Sequence, residues 1–177
     1  MKKSLDGQQI ADAFDKLYQA VAAELPRDLR VAVIGIRTRG EVLARRIVER
    51  LRAEKALEVD LGVLDITFYR DDLSRRRGAK PARTTEIGFD ISDTWLLLVD
   101  DVLQTGRSVR AALDALHDFG RPRVVRLAVL IDRGGHELPI APDFVGRRVQ
   151  VPAGDVIQVR LEESDGEEGL FISRKRK

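Results

Sequence analysis

The chain contains no cysteine and only two histidines. The lack of cysteine excludes disulfides, thiolate catalysis, thiolate zinc sites and iron–sulfur clusters, and two histidines are too few for a metal centre built from several imidazoles. No apolar run approaches the roughly 20 residues of a membrane span, and no apolar segment typical of a secretory signal follows the basic start. Positive and negative side chains nearly balance, with a formal net charge of +2, so the composition gives no general case for a nucleic-acid or membrane partner. We therefore expect a cytoplasmic protein.

The 177 residues are enough for a sizeable core, and we predict a single domain over residues 1–177. Apolar periodicity predicts helices and strands that alternate along the chain. The predicted helices cover about residues 6–24, 41–53 and 109–119, and the predicted strands cover 30–36, 61–69, 95–99, 124–131 and 156–159. This alternation indicates an α/β fold with a doubly wound, mostly parallel sheet. Because such sheets bind ligands at the carboxyl ends of their strands, the residues that follow those ends are the candidate site.

Two carboxylates, Asp100 and Asp101, follow the third of these strands, and the segment Thr105–Ser108 then leads into a helix. A helix N-terminus with free N–H groups binds phosphate readily, and Gly106 allows the backbone to approach it closely. The acids are suited to ribose hydroxyls, directly or through Mg²⁺. The pattern therefore predicts a site for a phosphorylated sugar. The alternative is a plain strand end with Ser108 as helix cap, but paired carboxylates at a buried strand end are unfavourable without a cationic partner.

A second strand end carries Arg37 and Arg39. Gly35 and Gly40 have the glycine spacing of a nucleotide P-loop, but Glu41-Val42 replaces its Lys-Ser/Thr pair, so that interpretation fails. A tight loop with two arginines can bind a second phosphate group, and a solvated turn is the alternative.

Two further loops flank the same edge of the sheet. The first, about residues 70–84, has a net positive charge and no periodicity, so we predict that it closes over an anionic ligand as a mobile lid; a solvated charge run is the alternative. The second runs from Asp132 to Glu137, and we predict that it forms the wall for the third part of the ligand. His136 is interpreted as a surface histidine and His117 as structural.

Residues 96–108, Leu-Leu-Leu-Val-Asp-Asp-Val-Leu-Gln-Thr-Gly-Arg-Ser, resemble the phosphoribosyl diphosphate (PRPP) motif of the type I phosphoribosyltransferases. Segments 35–40, 65–73, 120–122 and 127–134 resemble the PyrR family of pyrimidine operon regulators and uracil phosphoribosyltransferases. The resemblance implies a type I phosphoribosyltransferase fold with a lid and a small hood. It also implies that uracil and PRPP give UMP and diphosphate with Mg²⁺, that UMP and UTP are ligands, and that the protein is a homodimer or homotetramer.

The resemblance also implies roles for individual residues. Asp100 and Asp101 would bind the two ribose hydroxyls, stabilise positive charge at the anomeric carbon and contact Mg²⁺ carried by PRPP. The implied substrate-binding residues are Arg37, Thr38, Arg39, Gly40, Val102, Leu103, Gln104, Thr105, Gly106, Arg107, Ser108 and Arg133. The implied lid residues are Arg70, Lys80 and Arg83, and the implied wall of the base site is Ile131 and Asp132.

One loop departs from the family pattern. In members that bind RNA it usually reads Arg-Gly-His-Arg-Glu-Leu-Pro-Ile-Arg, whereas residues 133–141 here read Arg-Gly-Gly-His-Glu-Leu-Pro-Ile-Ala. Because phosphate contacts supply most RNA affinity, we expect weak or absent binding to an mRNA leader. The basic tail, residues 174–177, is interpreted as disordered. Two alternatives to the enzyme remain: an RNA-binding regulator that senses pyrimidine nucleotides with little turnover, and a phosphoacceptor receiver domain. The receiver is disfavoured because its acid pair comes early in a shorter chain.

Overall fold

Two β-sheets and four helices make up the computed structural model, which describes residues 1–69, 84–152 and 154–174. The strands are β1 (Lys2–Leu5), β2 (Val31–Ile36), β3 (Val59–Leu64), β4 (Trp95–Leu103), β5 (Val124–Asp132), β6 (Phe144–Arg148), β7 (Asp155–Arg160) and β8 (Gly169–Arg174). The helices are α1 (Gly7–Ala23), α2 (Arg39–Lys55), α3 (Arg107–Leu116) and α4 (Glu162–Asp165). No helix within these described ranges is long and apolar enough to cross a membrane.

The larger sheet is parallel, with strand order β3-β2-β4-β5-β6. Its central strands are apolar on both sides because helices cover both faces. On one face, alternate residues of β2 and β4 such as Val33 and Leu97 pack against α1 and α2. On the other face, Ile34 and Leu98 pack against α3. This arrangement confirms the predicted doubly wound α/β fold.

Two glycines bring the start of α2 unusually close to the sheet. A Cβ atom on Gly40 would lie 2.4 Å from the carbonyl oxygen of Val99, and one on Gly35 would lie 2.4 Å from the carbonyl oxygen of Gly40. Neither position therefore has room for a side chain. The contact places the first turn of α2 directly beside the carboxyl end of β4.

The smaller sheet is antiparallel, with order β1-β8-β7. We call this sheet together with α4 the hood. Leu5, Val159 and Leu170 are buried and join the same apolar cluster as α1 and α2. The hood therefore packs on the parallel sheet through a shared core, as the resemblance implied.

Several element boundaries differ from the sequence predictions. β3 ends at Leu64 rather than continuing to Tyr69, because the Asp65 carboxylate accepts a hydrogen bond from the Thr67 N–H at 2.7 Å and turns the chain into a 3₁₀ helix, Thr67–Tyr69. β4 continues to Leu103 because its pairing with β5 extends that far. α2 begins at Arg39 rather than near residue 41, and α3 covers Arg107–Leu116 rather than 109–119.

Three strands, β1, β6 and β8, were not predicted. The prediction of a disordered tail over residues 174–177 is wrong for Arg174, which ends β8 opposite Asp155. Residues 175–177 lie outside the described chain.

Candidate active site

A cleft of about 250 Å³ opens where β4 ends and α3 begins. It is lined by Arg39, Asp100, Asp101, Val102, Leu103, Gln104, Thr105, Gly106, Ser108, Val109, Ile157 and Gln158. Nine of these residues were predicted from the sequence as site residues. The structure therefore brings the acid pair, the glycine-containing loop and one of the two arginines into one cavity.

Asp100 and Asp101 lie within β4 rather than after it. Asp100 is only 7% exposed, and its Oδ1 accepts a hydrogen bond from the Asp101 N–H at 2.9 Å. Burial raises the pKa of Asp101, and the nearby positive charge of Arg39 opposes that rise. A carboxylate pair in this position accepts hydrogen bonds from hydroxyl groups and attracts positive charge that develops in the cleft.

The loop between β4 and α3 turns into the helix at a glycine. Gly106 occupies the N-cap position of α3 with φ +88°, a left-handed conformation that glycine adopts without strain. The Thr105 carbonyl accepts hydrogen bonds from the N–H groups of Glu137 and Leu138 at 3.1 and 3.2 Å, which fixes the loop from behind. Because the positive end of the α3 dipole lies at Arg107, the loop favours an anionic group.

The arginine segment is not an open loop. Arg37 forms ion pairs with Glu41, at 3.3 Å, and with Glu86, and it does not line the cleft. Arg39 lies in the first turn of α2 and faces the cleft. Its Nε and Nη2 donate to the two carboxylate oxygens of Asp165 at 2.9 and 2.6 Å. Burial would lower the pKa of Arg39, but Asp165 and Asp101 outweigh burial and raise it.

Thr38 and Gly40 belong to the same segment, but neither lines the cleft. Gly40 has a packing role, since it allows the contact between α2 and β4. Their part in substrate binding stays a prediction.

The loop after β5 lies beside the cleft but does not line it. Asp132 is buried, and its Oδ1 accepts from the Gly134 N–H at 2.9 Å and contacts His136 Nε2 at 3.0 Å. Burial would raise the pKa of Asp132, but these partners lower it overall. The Arg133 guanidinium donates to the Asp155 carbonyl at 3.0 Å. Ile131 is fully buried in the core. The base-site wall of Ile131 and Asp132 stays a prediction.

Arg107 contacts Glu137, with Nη2 and Oε2 3.2 Å apart, and is not part of the cleft lining. The predicted lid residues Arg70, Lys80 and Arg83 lie outside the described residues. Among the residues that are described, no group of three or more His, Asp or Glu side chains could hold a metal ion.

Sequence reasoning missed the contribution of the hood. Ile157 and Gln158 of β7 close one side of the cleft, and Asp165 of α4 holds Arg39. An acidic run from Glu162 to Glu168 is visible in the sequence. Nothing in the chain order pairs that run with arginines more than a hundred residues earlier.

Comparisons with known proteins agree with this geometry. The family model "Phosphoribosyl transferase domain" matches residues 3–163. The chain is 49% identical over 174 residues to the "Bifunctional protein PyrR" of Roseiflexus sp., covering 98% of this chain and 95% of the relative. It is 44% identical over 175 residues to the protein of that name from Mycobacterium ulcerans, covering 98% and 93%.

Solved structures show the same fold at much lower identity. The hypoxanthine phosphoribosyltransferase of Trypanosoma cruzi superimposes with a TM-score of 0.69 at 14% identity, covering 99% of this chain and 98% of that one. At that identity the likeness establishes the fold alone. The fold, the family model and the relatives at more than 40% identity agree, and the chain therefore belongs to the PyrR family of phosphoribosyltransferases.

Proposed function

We propose that the protein transfers the phosphoribosyl group of PRPP to uracil, giving UMP and diphosphate. The observation that carries the proposal is the position of Asp100 and Asp101 in the same cleft as the start of α3. A phosphorylated sugar needs both features, namely acceptors for its hydroxyls and donors for its phosphate. Relatives named "Bifunctional protein PyrR" support uracil as the acceptor.

In the proposed reaction the bond between the anomeric carbon and the diphosphate oxygen breaks, and a bond to a uracil ring nitrogen forms as that nitrogen loses its proton. Positive charge develops on the ribose as the leaving group departs. Asp100, which is buried, and Asp101, which is partly buried, hold the two ribose hydroxyls and stabilise this charge where electrostatic effects are stronger than in water. The reaction needs no covalent nucleophile, and orientation supplies much of the remaining rate.

The phosphate groups would lie at the two ends of the cleft. The backbone of Thr105–Ser108 at the start of α3 would bind the sugar phosphate. Arg39 would bind the diphosphate with N–H donors that Asp165 does not use, because a guanidinium has five donors and Asp165 accepts from two of its nitrogens. Arg37 pairs with Glu86, Arg133 donates to the Asp155 carbonyl, and neither lines the cleft, so they would contact substrate only after rearranging.

Mg²⁺ would enter with PRPP. Asp100 and Asp101 provide oxygen donors that suit a hard cation, while diphosphate and ribose oxygens would supply the rest of its ligands. The ion would neutralise charge on the diphosphate as it leaves.

The test is PRPP-dependent conversion of radiolabelled uracil to UMP, with cytosine and hypoxanthine as matched acceptors. Of the three bases, we expect only uracil to be converted to its nucleotide. We also expect UMP formation to stop when Mg²⁺ is chelated. Turnover of hypoxanthine in preference to uracil would contradict the base assignment, and no PRPP consumption with any base would contradict the enzymatic assignment.

A second candidate is an RNA-binding regulator that senses UMP or UTP, and the word "bifunctional" in the names of the relatives favours it. In the loop after β5, Glu137 contacts the cationic Arg107, and position 141 is alanine. Fewer exposed cations mean fewer phosphate contacts, so we expect at most weak binding to an mRNA leader.

We also propose that the protein is a homodimer or homotetramer. We propose that it acts in the cytoplasm, where charged nucleotide substrates are retained.

A further inference from the structure

Asp165 links the hood to an arginine of the cleft. It ends α4, and its carboxylate accepts two hydrogen bonds from Arg39, across 126 residues of sequence. The same carboxylate accepts from the Leu161 N–H at 3.0 Å and from the Ser164 hydroxyl at 2.7 Å. Because the backbone of the hood fixes Asp165, the Arg39 guanidinium is held in one orientation.

That orientation places Arg39 where it can act on a ligand. Arg39 lines the cleft together with Asp101, and the charge of Asp101 contributes to the raised pKa of Arg39. The hydrogen bonds from Arg39 also hold the pKa of Asp165 far below its ordinary value, so the pair is fully ionised in the pH range of an enzyme assay. A bidentate pair uses one edge of the guanidinium and leaves the other N–H groups for a second anion.

We propose that Asp165 is a positioning residue for catalysis: it fixes the Arg39 guanidinium beside Asp101 so that its remaining donors meet the diphosphate oxygens of PRPP. The inference rests on the proposed function, which assigns the diphosphate to Arg39. It adds that the hood takes part in binding PRPP.

The chain offers a matched control for the structural role of the same helix. Arg46 of α2 forms ion pairs with Glu163 of α4 and with Glu168, each at 2.7 Å. Like the Arg39–Asp165 pair, these contacts tie the hood to α2, but Arg46 and Glu163 do not line the cleft. Glu163→Gln therefore weakens the attachment of the hood without touching Arg39.

The experiment measures PRPP affinity by calorimetry and steady-state kinetics of the full chain for Asp165→Asn, Glu163→Gln, Arg39→Ala and the double variant. Hydrogen bonds to charged groups contribute enough that Asp165→Asn should lower kcat/KM for PRPP about tenfold. Most of this should appear as a raised KM for PRPP, with the KM for uracil little changed. Glu163→Gln should stay within about twofold of the native value while lowering Tm. Adding Asp165→Asn to Arg39→Ala should cost nothing further, because residues that act as a unit are non-additive.

Other results would overturn the inference. If Asp165→Asn and Glu163→Gln change kcat/KM for PRPP equally, Asp165 has only a structural role in attaching the hood. If the effects of Asp165→Asn and Arg39→Ala on kcat/KM are additive, Asp165 does not act through Arg39. Tighter PRPP binding by Asp165→Asn would mean that Asp165 competes with substrate. If Asp165→Asn does not fold, Arg39→Lys is the substitute, because lysine keeps the charge but cannot form the bidentate pair; native PRPP affinity in that variant would also refute the inference.

The two proposals fail in distinguishable ways. If Arg39→Ala binds PRPP normally, the diphosphate assignment of the proposed function is wrong and the inference is wrong with it. If the native protein binds PRPP but does not use uracil, only the acceptor assignment is wrong. The tenfold effect of Asp165→Asn on PRPP binding would still be expected.

Discussion

Gly40→Ala should separate α2 from β4 and disturb the site without altering any group in the cleft. The new Cβ atom would lie 2.4 Å from the Val99 carbonyl oxygen and 3.2 Å from the Asp100 Cα atom. Real Cβ atoms essentially never come within 3.0 Å of such neighbours, so backbone must move by at least 0.6 Å, the difference between 3.0 and 2.4 Å. The neighbours are backbone atoms of a central strand, which cannot turn aside as a flexible side chain does.

The size of the effect follows from this geometry. Overpacking of this kind lowers the free energy of unfolding by about 1–3 kcal/mol. For a chain of this length, each kcal/mol lowers Tm by about 2–4 °C. The displaced segments carry Arg39 on one side and Asp100 on the other. Because a misplacement of about 1 Å can reduce an enzymatic rate about 10²-fold, we expect kcat/KM for PRPP to fall about 10- to 100-fold.

Steady-state kinetics and thermal unfolding of Gly40→Ala should be compared with those of Gly88→Ala. A Cβ atom on Gly88 would have no neighbour within 4 Å. Alanine there should therefore leave kcat/KM and Tm close to their native values. A Gly40→Ala protein with native Tm and native kcat/KM would show that the close approach of α2 does not set the geometry of the cleft.

Four further predictions concern the acid pair, the loop at the start of α3, the stability contributed by Asp132, and RNA binding. Asp100→Asn and Asp101→Asn should each lower kcat at least 10²-fold in a folded protein, and near-native activity in both variants would contradict the assignment. In the native protein, kcat/KM should fall in acid with an apparent pKa above that of an ordinary aspartate, because burial raises the pKa of Asp101. Gly106→Val should weaken PRPP binding measured by calorimetry, since its φ of +88° and the approach of phosphate both disfavour a branched side chain; unchanged affinity in a folded variant would exclude the loop. Asp132→Asn should destabilise the protein at neutral pH, because the carboxylate is the stabilising form of Asp132. The difference in unfolding free energy between the variant and the native protein should vanish as pH falls through the lowered native pKa of Asp132. A difference that persists in acid would refute this linkage. Filter binding to the 5′ leader of the pyrimidine operon at about 0.15 M salt should give no better than micromolar affinity, and nanomolar binding enhanced by UMP would restore the regulatory role.

The central elements could be predicted because their patterns have a single physical interpretation. β2 and the first half of β4 are continuous apolar runs that only a strand covered on both faces accommodates. The helical period of α1 predicted that helix almost to the residue, and the structure adds a capping box between Asp6 and Gln9 at its start. The position of Thr105–Ser108 at the start of a helix was predictable, because the segment follows a buried strand and precedes an apolar helical period.

Periodicity predicted only β7 of the three strands of the hood, because β1 and β8 carry little local signal. β1 buries only Leu5 among its four residues, and β8 ends in polar residues that resemble a tail. Their partners are set by tertiary contacts, which chain order does not reveal. The ion pair of Arg39 was not predicted for the same reason, since its partner Asp165 lies in the distant α4.

The hood sheet joins β1 to β8, with Lys3 paired to Phe171 across almost the whole length of the chain. The five parallel strands and their helices lie between these two partners in the sequence. Closing so long a loop carries an entropic cost that grows only slowly with its length, but pairings between residues far apart in sequence form slowly. During refolding, the parallel sheet should therefore form before the hood closes. Because β7 pairs with β8 and β8 pairs with β1, loss of β1 should destabilise the whole hood sheet, including the β7 residues that line the cleft.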